Sequence, residues 1–293
     1  MEKTVDLKTA QYKNIIDDYL NRQCFIYPSE PQQKLFEAMR YSLMAGGKRL
    51  RPIFVLEFCR LCSGTWEQAL PFAAAIEMIQ TYSLIHDDLP CMDDDDFRRG
   101  IPTNHKVYGE STAVLAGDAL LTEAFHHIAT APLSAEQRIQ AVEILSFCAG
   151  ALGMVGGQVL DIEGESKQCT EEDILAIHSR KTGAVIVAAC KLGVIAGNGN
   201  HAQISAAEEF ARNLGLAFQI RDDMLDVIGS AAEMGKATGT DTDKNTFVQL
   251  YGLQKCEELV ARYTAGAISA LNCFTDIQYL TDLSNNLTNR TYK

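Results

Sequence analysis

Apolar residues recur at helical spacing along most of the chain. One stripe near its start consists of Ile15, Ile16, Tyr19 and Leu20. A longer stripe, with a period of about 3.6 residues, consists of Phe210, Leu214, Phe218, Leu225 and Ile228. The alternation of period two that marks half-buried strands is hard to find. The pattern therefore predicts an all-α protein.

Three sites carry the sequence signature of a helix start: Ser134-x-x-Gln137, Thr170-x-x-Asp173 and Ser205-x-x-Glu208. At each of them a hydroxyl can cap free amide donors, and the residue three positions later can reach back. The chain has seven prolines and neither a low-complexity linker nor a repeat. We therefore expect one all-helical domain over residues 1–293, with about ten helices.

Two aspartate clusters each end an apolar helical stretch, about 130 residues apart in the chain. The first spans residues 87–96 and the second spans Asp222-Asp223-Met224-Leu225-Asp226. An ionised carboxylate is costly to bury unless it is paired or binds a cation, so these clusters indicate a hard divalent metal. Because Mg²⁺ shares its coordination shell readily with phosphate oxygens, the substrate is expected to be a phosphate or diphosphate.

Spacing within the clusters selects the candidate ligands. Asp222 and Asp226 are four residues apart and share one helix face. In the first cluster we expect Asp93 to point inward with Asp87 and Asp88, while the remaining aspartates face solvent or support the ligands. The alternative for both clusters is a solvated acidic face, and it is stronger for residues 93–96.

Composition narrows the function class and the compartment. A formal net charge of −12 argues against non-specific nucleic-acid binding and against attraction to an anionic membrane. Nine scattered cysteines do not form a disulfide framework, so we expect a reducing, cytoplasmic environment. No membrane insertion is expected, because the apolar stretches 112–121 and 184–195 are interrupted by Asp118 and Lys191.

Two sets of basic residues complement the aspartates. The first combines the run Lys48-Arg49-Leu50-Arg51 with Arg98 and Arg99. The second consists of Lys181, Lys236 and Lys244. Guanidinium forks and lysines bind diphosphates well, so two anionic groups are expected to be held. The alternative for residues 48–51 is an ordinary surface charge run.

Five blocks in a fixed order resemble the trans-isoprenyl diphosphate synthase family, of the bacterial farnesyl diphosphate synthase type, over essentially the full length of the chain. The blocks are Gly46-Gly47-Lys48-Arg49-Leu50-Arg51-Pro52, Asp87-Asp88-x4-Asp93 with Arg98-Arg99-Gly100, Gly156-Gly157-Gln158 with Asp161, Lys181-Thr182-Gly183, and Phe218-Gln219-Ile220-Arg221-Asp222-Asp223-x-x-Asp226 with Gly235-Lys236. The resemblance implies a single large helical bundle around a deep central cavity, which is the isoprenoid synthase fold, and a homodimer.

The resemblance also implies a division of labour among these residues. Three Mg²⁺ ions would be held by Asp87, Asp88, Asp93, Asp222 and Asp226, and would bind the diphosphate of an allylic substrate. Arg98, Lys181 and Lys236 would assist on that diphosphate, as Lys244 would. Thr182, Gln219 and the Lys181 carbonyl would stabilise the allylic cation. Isopentenyl diphosphate would be bound by Gly47, Lys48, Arg51, Gln80 and Arg99. The released pyrophosphate would take the final proton, which leaves His86 and His178 in supporting roles.

Product length is expected to depend on Tyr82, which lies five residues before Asp87, about 7 Å down the helix axis. An aromatic residue at this position, with two extra residues in the first motif, resembles the pattern of enzymes that make a fifteen-carbon product. Farnesyl diphosphate is therefore the expected product. The alternatives are a geranylgeranyl diphosphate synthase, a terpene cyclase and a non-catalytic prenyl-diphosphate-binding subunit.

The chain departs from the family pattern at several points. Gln80 stands where a histidine is common, which keeps a hydrogen bond to diphosphate and removes any positive charge. The segment around Asp241 and Lys244 is shorter than usual. The C-terminal segment 289–293 resembles the basic tail that closes the family's isopentenyl site, and the alternative is an ordinary disordered terminus.

Overall fold

A computed structural model describes residues 2–25, 27–234 and 245–290 of the chain. Within these residues the chain folds into thirteen α-helices. They are α1 (Glu2–Gln23), α2 (Gln33–Leu43), α3 (Leu50–Ser63), α4 (Leu70–Asp87), α5 (Asn104–Tyr108), α6 (Glu110–Ala129), α7 (Ala135–Ala149), α8 (Met154–Gly164), α9 (Glu171–His178), α10 (Ala184–Ala196), α11 (His201–Met234), α12 (Phe247–Ala270) and α13 (Gln278–Thr288). The all-α prediction is confirmed, and the count exceeds the expected ten because short helices such as α5 lack a readable pattern.

The described strands form one two-residue hairpin, which the sequence pattern did not predict. Strand β1 (Phe97–Arg98) pairs antiparallel with β2 (Ile101–Pro102). Arg99 and Gly100 connect them with φ values of 55° and 79°. Positive φ at both turn residues suits the right-handed twist of a tight hairpin. The turn therefore fixes the directions in which Arg98 and Arg99 leave the backbone.

The centre of the bundle is made of helices that are apolar nearly all round. Helix α4 packs against α3 and α6, and α10 packs against α3 and α11. Phe210 of α11 meets Phe54 and Phe58 of α3 edge to face, with ring centroids 6.0 and 5.4 Å apart. Such aromatic pairs contribute about 0.5–1.5 kcal/mol each beyond their burial. This packing holds α4 and α11, which carry the two aspartate clusters, in the core.

Two of the three predicted helix starts are confirmed. Ser134 and Thr170 form complete capping boxes with the residues three positions later. The prediction at Ser205 is wrong, because α11 already begins at His201. There Asn200 and Gln203 exchange hydrogen bonds of 2.9 and 3.0 Å between side chains and backbone amides. Asparagine caps a helix as well as serine does, so Asn200 supplies the cap that was expected from Ser205.

One apolar stretch of the described residues, Ala135–Gly164, is long and apolar enough to cross a membrane by length and composition. The chain turns between Ala149 and Met154, so the stretch forms two helices of 15 and 11 residues. Each is shorter than the roughly 17–25 residues that a spanning helix needs.

Candidate active site

Two adjoining cavities lie between the ends of α4, α8, α9 and α11. We call the first the acidic chamber; it measures about 640 Å³. Its lining carries the charged residues Asp93, Asp95, Asp161, Glu165, Lys181 and Asp223. We call the second the apolar chamber; it measures about 430 Å³, and its apolar lining includes Tyr82, Leu84, Met154, Val155, Val159 and Ile162. Met92 and Lys181 line both, so a bound molecule can extend from one chamber into the other.

Helix α4 delivers Asp87 to the apolar chamber. Burial is the main cause that raises the pKa of Asp87 to about 6, and Lys181 opposes it. Asp88 follows as the C-terminal cap of α4 and is 3% exposed. Burial also raises the pKa of Asp88, while its bonds to Arg98 act in the opposite direction. The first cluster therefore holds carboxylates whose negative charge is costly without a nearby cation.

The β1–β2 hairpin turns its two arginines in different directions. Arg98 donates through Nε to Asp88 at 2.8 Å and pairs with Asp95 at 2.9 Å. Arg99 donates to the carbonyl of Gly46, and its guanidinium carbon would lie 2.7 Å from a Cβ at position 47. Gly47, with φ +118°, is therefore needed both for the backbone and for the close approach of Arg99. Arg99 thus packs against the Gly46–Gly47 backbone of the first block, while Arg98 stays with the aspartates.

Lys181 lies within a π-helical turn, Ser179–Gly183, that interrupts the path from α9 to α10. Its ammonium group is 2.5 Å from Asp161 Oδ2 on α8. Gly157 of α8 permits this approach, because a Cβ there would lie 2.7 Å from the carbonyl carbon of Arg180. The wider turn places Lys181 and Thr182 on the wall of the apolar chamber.

The second cluster is distributed over different partners. Asp222 pairs with Arg290, whose guanidinium also lies 4.1 Å from the centre of the Phe218 ring. Asp223 lines the acidic chamber and accepts a bond of 3.1 Å from the backbone amide of Phe247, the first residue of α12. Asp226 is exposed one turn further along α11. Within the described residues, Asp223 is the member of this cluster that reaches the chamber wall.

His178 and Gln219 support this wall. The imidazole stacks on Phe247, with ring centroids 5.5 Å apart, and is hydrogen-bonded to Gln219. Burial lowers the pKa of His178 to about 4, so the ring is neutral at physiological pH. A neutral imidazole and an amide provide dipoles, which suit a site where positive charge develops.

Three further expected residues are Arg51, Gln80 and Lys48. Arg51 and Gln80 line the apolar chamber, and Arg51 Nε is buried without a hydrogen-bond partner among the described residues. Burial lowers the pKa of Arg51 to about 10. Lys48 is exposed; burial is the largest cause that lowers its pKa, followed by repulsion from Arg290. An arginine whose buried Nε lacks a hydrogen-bond partner favours binding of an anion.

Lys236, Lys244 and Asp241 lie outside the described residues, as do residues 291–293. Arg290 is described, and its backbone carbonyl accepts hydrogen bonds of 2.8 and 2.7 Å from Arg221. The C-terminal segment is thereby attached to α11 beside the second cluster. Its predicted role in closing a substrate site stays a prediction.

The aspartate carboxylates of this site suit a magnesium ion that is also coordinated by a substrate. No group of three His, Cys, Asp or Glu side chains converges as a ready metal site in the residues that the structure describes. Asp88, Asp161 and Asp222 are each paired with a cationic side chain. Mg²⁺ commonly takes only one or two carboxylates and completes its shell with water and phosphate oxygens, which suits such a dispersed arrangement.

Arg49 belongs to the basic run that was expected to hold an anionic group, but the structure corrects this expectation, because Arg49 is buried in ion pairs and positions the site. With φ 51° it is the N-cap of α3, and its guanidinium pairs with Glu77 of α4 and, at 2.9 Å, with Asp17 of α1. The Arg49 side chain is fully buried. This contact ties the Gly47–Lys48 segment to the helix that carries Gln80 and Asp87. Glu77 is the sequence feature that could have indicated this role, because it is the single carboxylate in α4 before Asp87 and needs a cation if buried.

Replacing Arg49 by glutamine is expected to lower the free energy of unfolding by about 3–5 kcal/mol, because Glu77 would remain buried without its cation. Urea denaturation measures the change. The matched control is Arg22→Gln, which breaks an exposed pair with Asp18 and should have a much smaller effect. Equal losses in the two variants would show that the Arg49–Glu77 pair does not anchor the segment.

The fold is the isoprenoid synthase fold, a helical bundle in which an acidic chamber adjoins an apolar one. A family model described as polyprenyl synthetase matches residues 32–271. The chain belongs to the polyprenyl synthetase family. The extension of the domain to residues 1–293 stays a prediction.

Curated relatives include both fifteen-carbon and twenty-carbon synthases by name. The chain is 50% identical to a farnesyl diphosphate synthase of Micrococcus luteus, over 78% of this chain and 79% of the relative. It is also 50% identical to a chloroplastic geranylgeranyl pyrophosphate synthase of Catharanthus roseus, over 78% of this chain but 66% of the relative.

Solved structures agree with the fold. An FPP/GFPP synthase of Zymomonas mobilis superposes with a TM-score of 0.89 at 35% identity, covering 98% of this chain and all of the other. A geranyltransferase of Legionella pneumophila superposes with a TM-score of 0.88 at 32% identity, covering 99% and 98% of the two chains.

Proposed function

We propose that the chain is a trans-prenyltransferase that joins isopentenyl diphosphate to dimethylallyl or geranyl diphosphate and releases (2E,6E)-farnesyl diphosphate. The observation that carries this proposal is the pair of chambers that share Lys181 and Met92. Carboxylates and a lysine suit a metal-bound diphosphate, and the apolar chamber suits an isoprenoid chain. Geranylgeranyl diphosphate is the second candidate product, because a relative of equal identity bears that name.

The allylic diphosphate would be bound at the acidic chamber. Lys181 and Arg98, with Lys236 from outside the described residues, would neutralise its oxygens. Asp87, Asp88, Asp93, Asp222 and Asp226 would hold three Mg²⁺ ions, and Asp222 would exchange Arg290 for metal. Bound Mg²⁺ would stabilise the charge that develops on the leaving diphosphate.

Cleavage of the allylic carbon–oxygen bond leaves a carbocation and pyrophosphate. Thr182, Gln219 and the Lys181 carbonyl would direct dipoles toward that cation and stabilise it. A full negative charge beside the cation would instead bind it too strongly for the next step. The double bond of isopentenyl diphosphate then supplies the electron pair for the new carbon–carbon bond. A proton leaves the adjacent carbon to restore a double bond, and pyrophosphate accepts it. Burial lowers the pKa of His178 to about 4, which makes its imidazole a weak proton acceptor and fits a reaction without a protein base.

Isopentenyl diphosphate would be bound beside Arg51 and Gln80, on the wall of the apolar chamber. Arg51 offers a buried guanidinium without a partner at Nε, and Gln80 lies on the same wall. Gly47, Lys48 and Arg99 would complete the site, since Arg99 already packs on the Gly46–Gly47 backbone. Holding both substrates in this geometry supplies much of the rate enhancement.

We further propose a cytoplasmic homodimer. All nine cysteines are free, which suits a reducing compartment. Val155, Val159 and Ile162 share one face of α8, line the apolar chamber and are each 46–49% exposed. A second copy packed on this face would cover these side chains and complete the wall of the chamber.

An incorporation assay tests the proposed activity. The protein is incubated with Mg²⁺, labelled isopentenyl diphosphate and each allylic starter in turn, and the dephosphorylated products are sized. Labelled fifteen-carbon alcohol is the expected result. A dominant twenty-carbon product would favour the second candidate, and a hydrolysed or cyclised starter without incorporation would indicate a terpene cyclase. A chain that only binds the substrates would be a non-catalytic subunit.

Tyr82→Ala is expected to shift the main product from fifteen toward twenty carbons. Tyr82 lines the apolar chamber and is 5% exposed, so removing its ring frees space along the path of the growing chain. Sizing of products from geranyl diphosphate measures the shift. Tyr19→Ala, on α1 away from the chamber, is the control. An unchanged product distribution in the Tyr82 variant would show that another residue limits the length of the growing chain.

A further inference from the structure

The Tyr82 ring does not stand alone on the wall of the apolar chamber. His86, one turn later on α4, also lines this chamber. The two rings meet edge to face, with centroids 5.8 Å apart and an interplanar angle of 79°. Residues four apart lie on the same face of a helix, so the imidazole and the phenol form one continuous aromatic surface.

Helix α6 fixes the position of the imidazole. His86 Nε2 lies 3.0 Å from the backbone carbonyl oxygen of Val114. The ring rests on Gly117, where an added Cβ would overlap Nε2, Cδ2 and Cε1, the last at 2.8 Å. Gly117 lies within a regular helix, where glycine is less stable than alanine. The space that it leaves for the imidazole is therefore a physical reason for glycine at this position.

We propose that His86 and Gly117 are specificity-determining residues that set the depth of the apolar chamber. The inference rests on the proposed function, because the length of the prenyl product is its readout. Because Gly117 has no side chain, the imidazole of His86 packs directly against α6. His86 in turn packs against the Tyr82 ring and limits its movement. Since the imidazole lies between α6 and the chamber, a methyl group at position 117 would push it inward. Removal of the imidazole would widen the chamber.

The two substitutions therefore shift product length in opposite directions. Gly117→Ala is expected to raise the fraction of ten-carbon product at least twofold when dimethylallyl diphosphate is the starter. His86→Ala is expected to raise the fraction of twenty-carbon product by at least the same factor. The measured quantity is the ratio of products in the incorporation assay, so a lower yield of folded protein does not alter it.

Each variant has a matched control. Gly266→Ala also places a methyl group against a polar side chain, Asn213 at 2.9 Å, but on α12. His126→Ala removes an exposed imidazole from the last turn of α6. Both controls should keep the wild-type product ratio. Unchanged ratios in both His86→Ala and Gly117→Ala, with active wild-type protein, would overturn the inference and leave the proposed function standing.

A binding measurement tests the roles of His86 and Gly117 independently of catalytic turnover. Calorimetric titrations with geranyl and farnesyl diphosphate in the presence of Mg²⁺ give the ratio of their dissociation constants. Gly117→Ala should weaken farnesyl diphosphate at least threefold more than geranyl diphosphate, and His86→Ala should not. Wild-type protein without incorporation would contradict the proposed function, whereas the same affinity ratio in wild type and Gly117→Ala would contradict the role of Gly117.

Discussion

Replacing Asp87 by asparagine is expected to lower turnover by about 100-fold or more. Asparagine keeps the size of the side chain but removes the negative charge that the proposed reaction needs to hold magnesium beside the diphosphate. Asp87 ends α4 on the chamber wall and is coupled electrostatically to Lys181 and Asp93. Loss of its charge therefore acts where the leaving group must be neutralised. Steady-state measurement of kcat with saturating Mg²⁺ checks this prediction.

The same substitution should not destabilise the fold. Burial raises the pKa of Asp87 to about 6, so the folded state binds this proton more tightly than the unfolded chain does. The ionised carboxylate therefore costs stability above about pH 6, and this cost disappears as the pH falls toward 4. An asparagine avoids it, so the unfolding midpoint at pH 8 should be equal to or above that of wild type.

Asp96→Asn is the matched control for this prediction. Asp96 belongs to the same aspartate run, is exposed and pairs with Lys106 at 2.6 Å. Its replacement should leave kcat within about threefold of wild type. Equal kcat in the Asp87 and Asp96 variants would show that the charge at the end of α4 is not required for catalysis.

Lys181→Gln is expected to lower kcat/KM for the allylic substrate by about 100-fold. Lys181 is the charged residue that lines both chambers, so its ammonium lies where diphosphate and hydrocarbon would join. Glutamine retains a hydrogen-bond donor and loses the positive charge. The loss should exceed that of any other single cation on this wall, because the π-helical turn directs Lys181 into the cleft.

Lys191→Gln controls for the loss of a partly buried lysine in general. Lys191 pairs with Glu208 at 2.7 Å, in a setting close to that of the Lys181–Asp161 pair, but it lies between α10 and α11. Its replacement should change stability slightly and leave kcat/KM unchanged. If the two lysine variants lose activity equally, Lys181 has no special role at the diphosphate.

The sequence predicted those parts of the site that depend on local chemistry. Apolar periodicity predicted the helices, and the requirement of buried carboxylates for cations predicted an acidic site. Ser134 and Thr170 marked helix starts because a capping box needs only residues three positions apart. The blocks around Lys48, Asp87 and Lys181 lie close together, as the resemblance implied.

Long-range ion pairs could not be predicted in this way. Arg49 pairs with Glu77, and Asp222 pairs with Arg290, across sequence separations of 28 and 68 residues. The sequence does not show which cation pairs with each carboxylate, since several arginines of the same blocks could form the ion pair. Helical spacing places Tyr82 and His86 on one face of α4, but their contact was not predicted, and the position of Gly117 behind His86 depends on how α6 crosses α4.

The most direct test of the two-chamber site is a crystal structure of the protein with Mg²⁺ and an isoprenoid bisphosphonate. We expect the bisphosphonate headgroup beside Lys181 in the acidic chamber and the hydrocarbon tail in the apolar chamber. We also expect metal ions that join the headgroup to Asp87 on one side and Asp222 on the other, with Arg290 released from Asp222. A headgroup bound elsewhere, with no metal at either aspartate, would show that the two chambers do not hold the substrate as proposed.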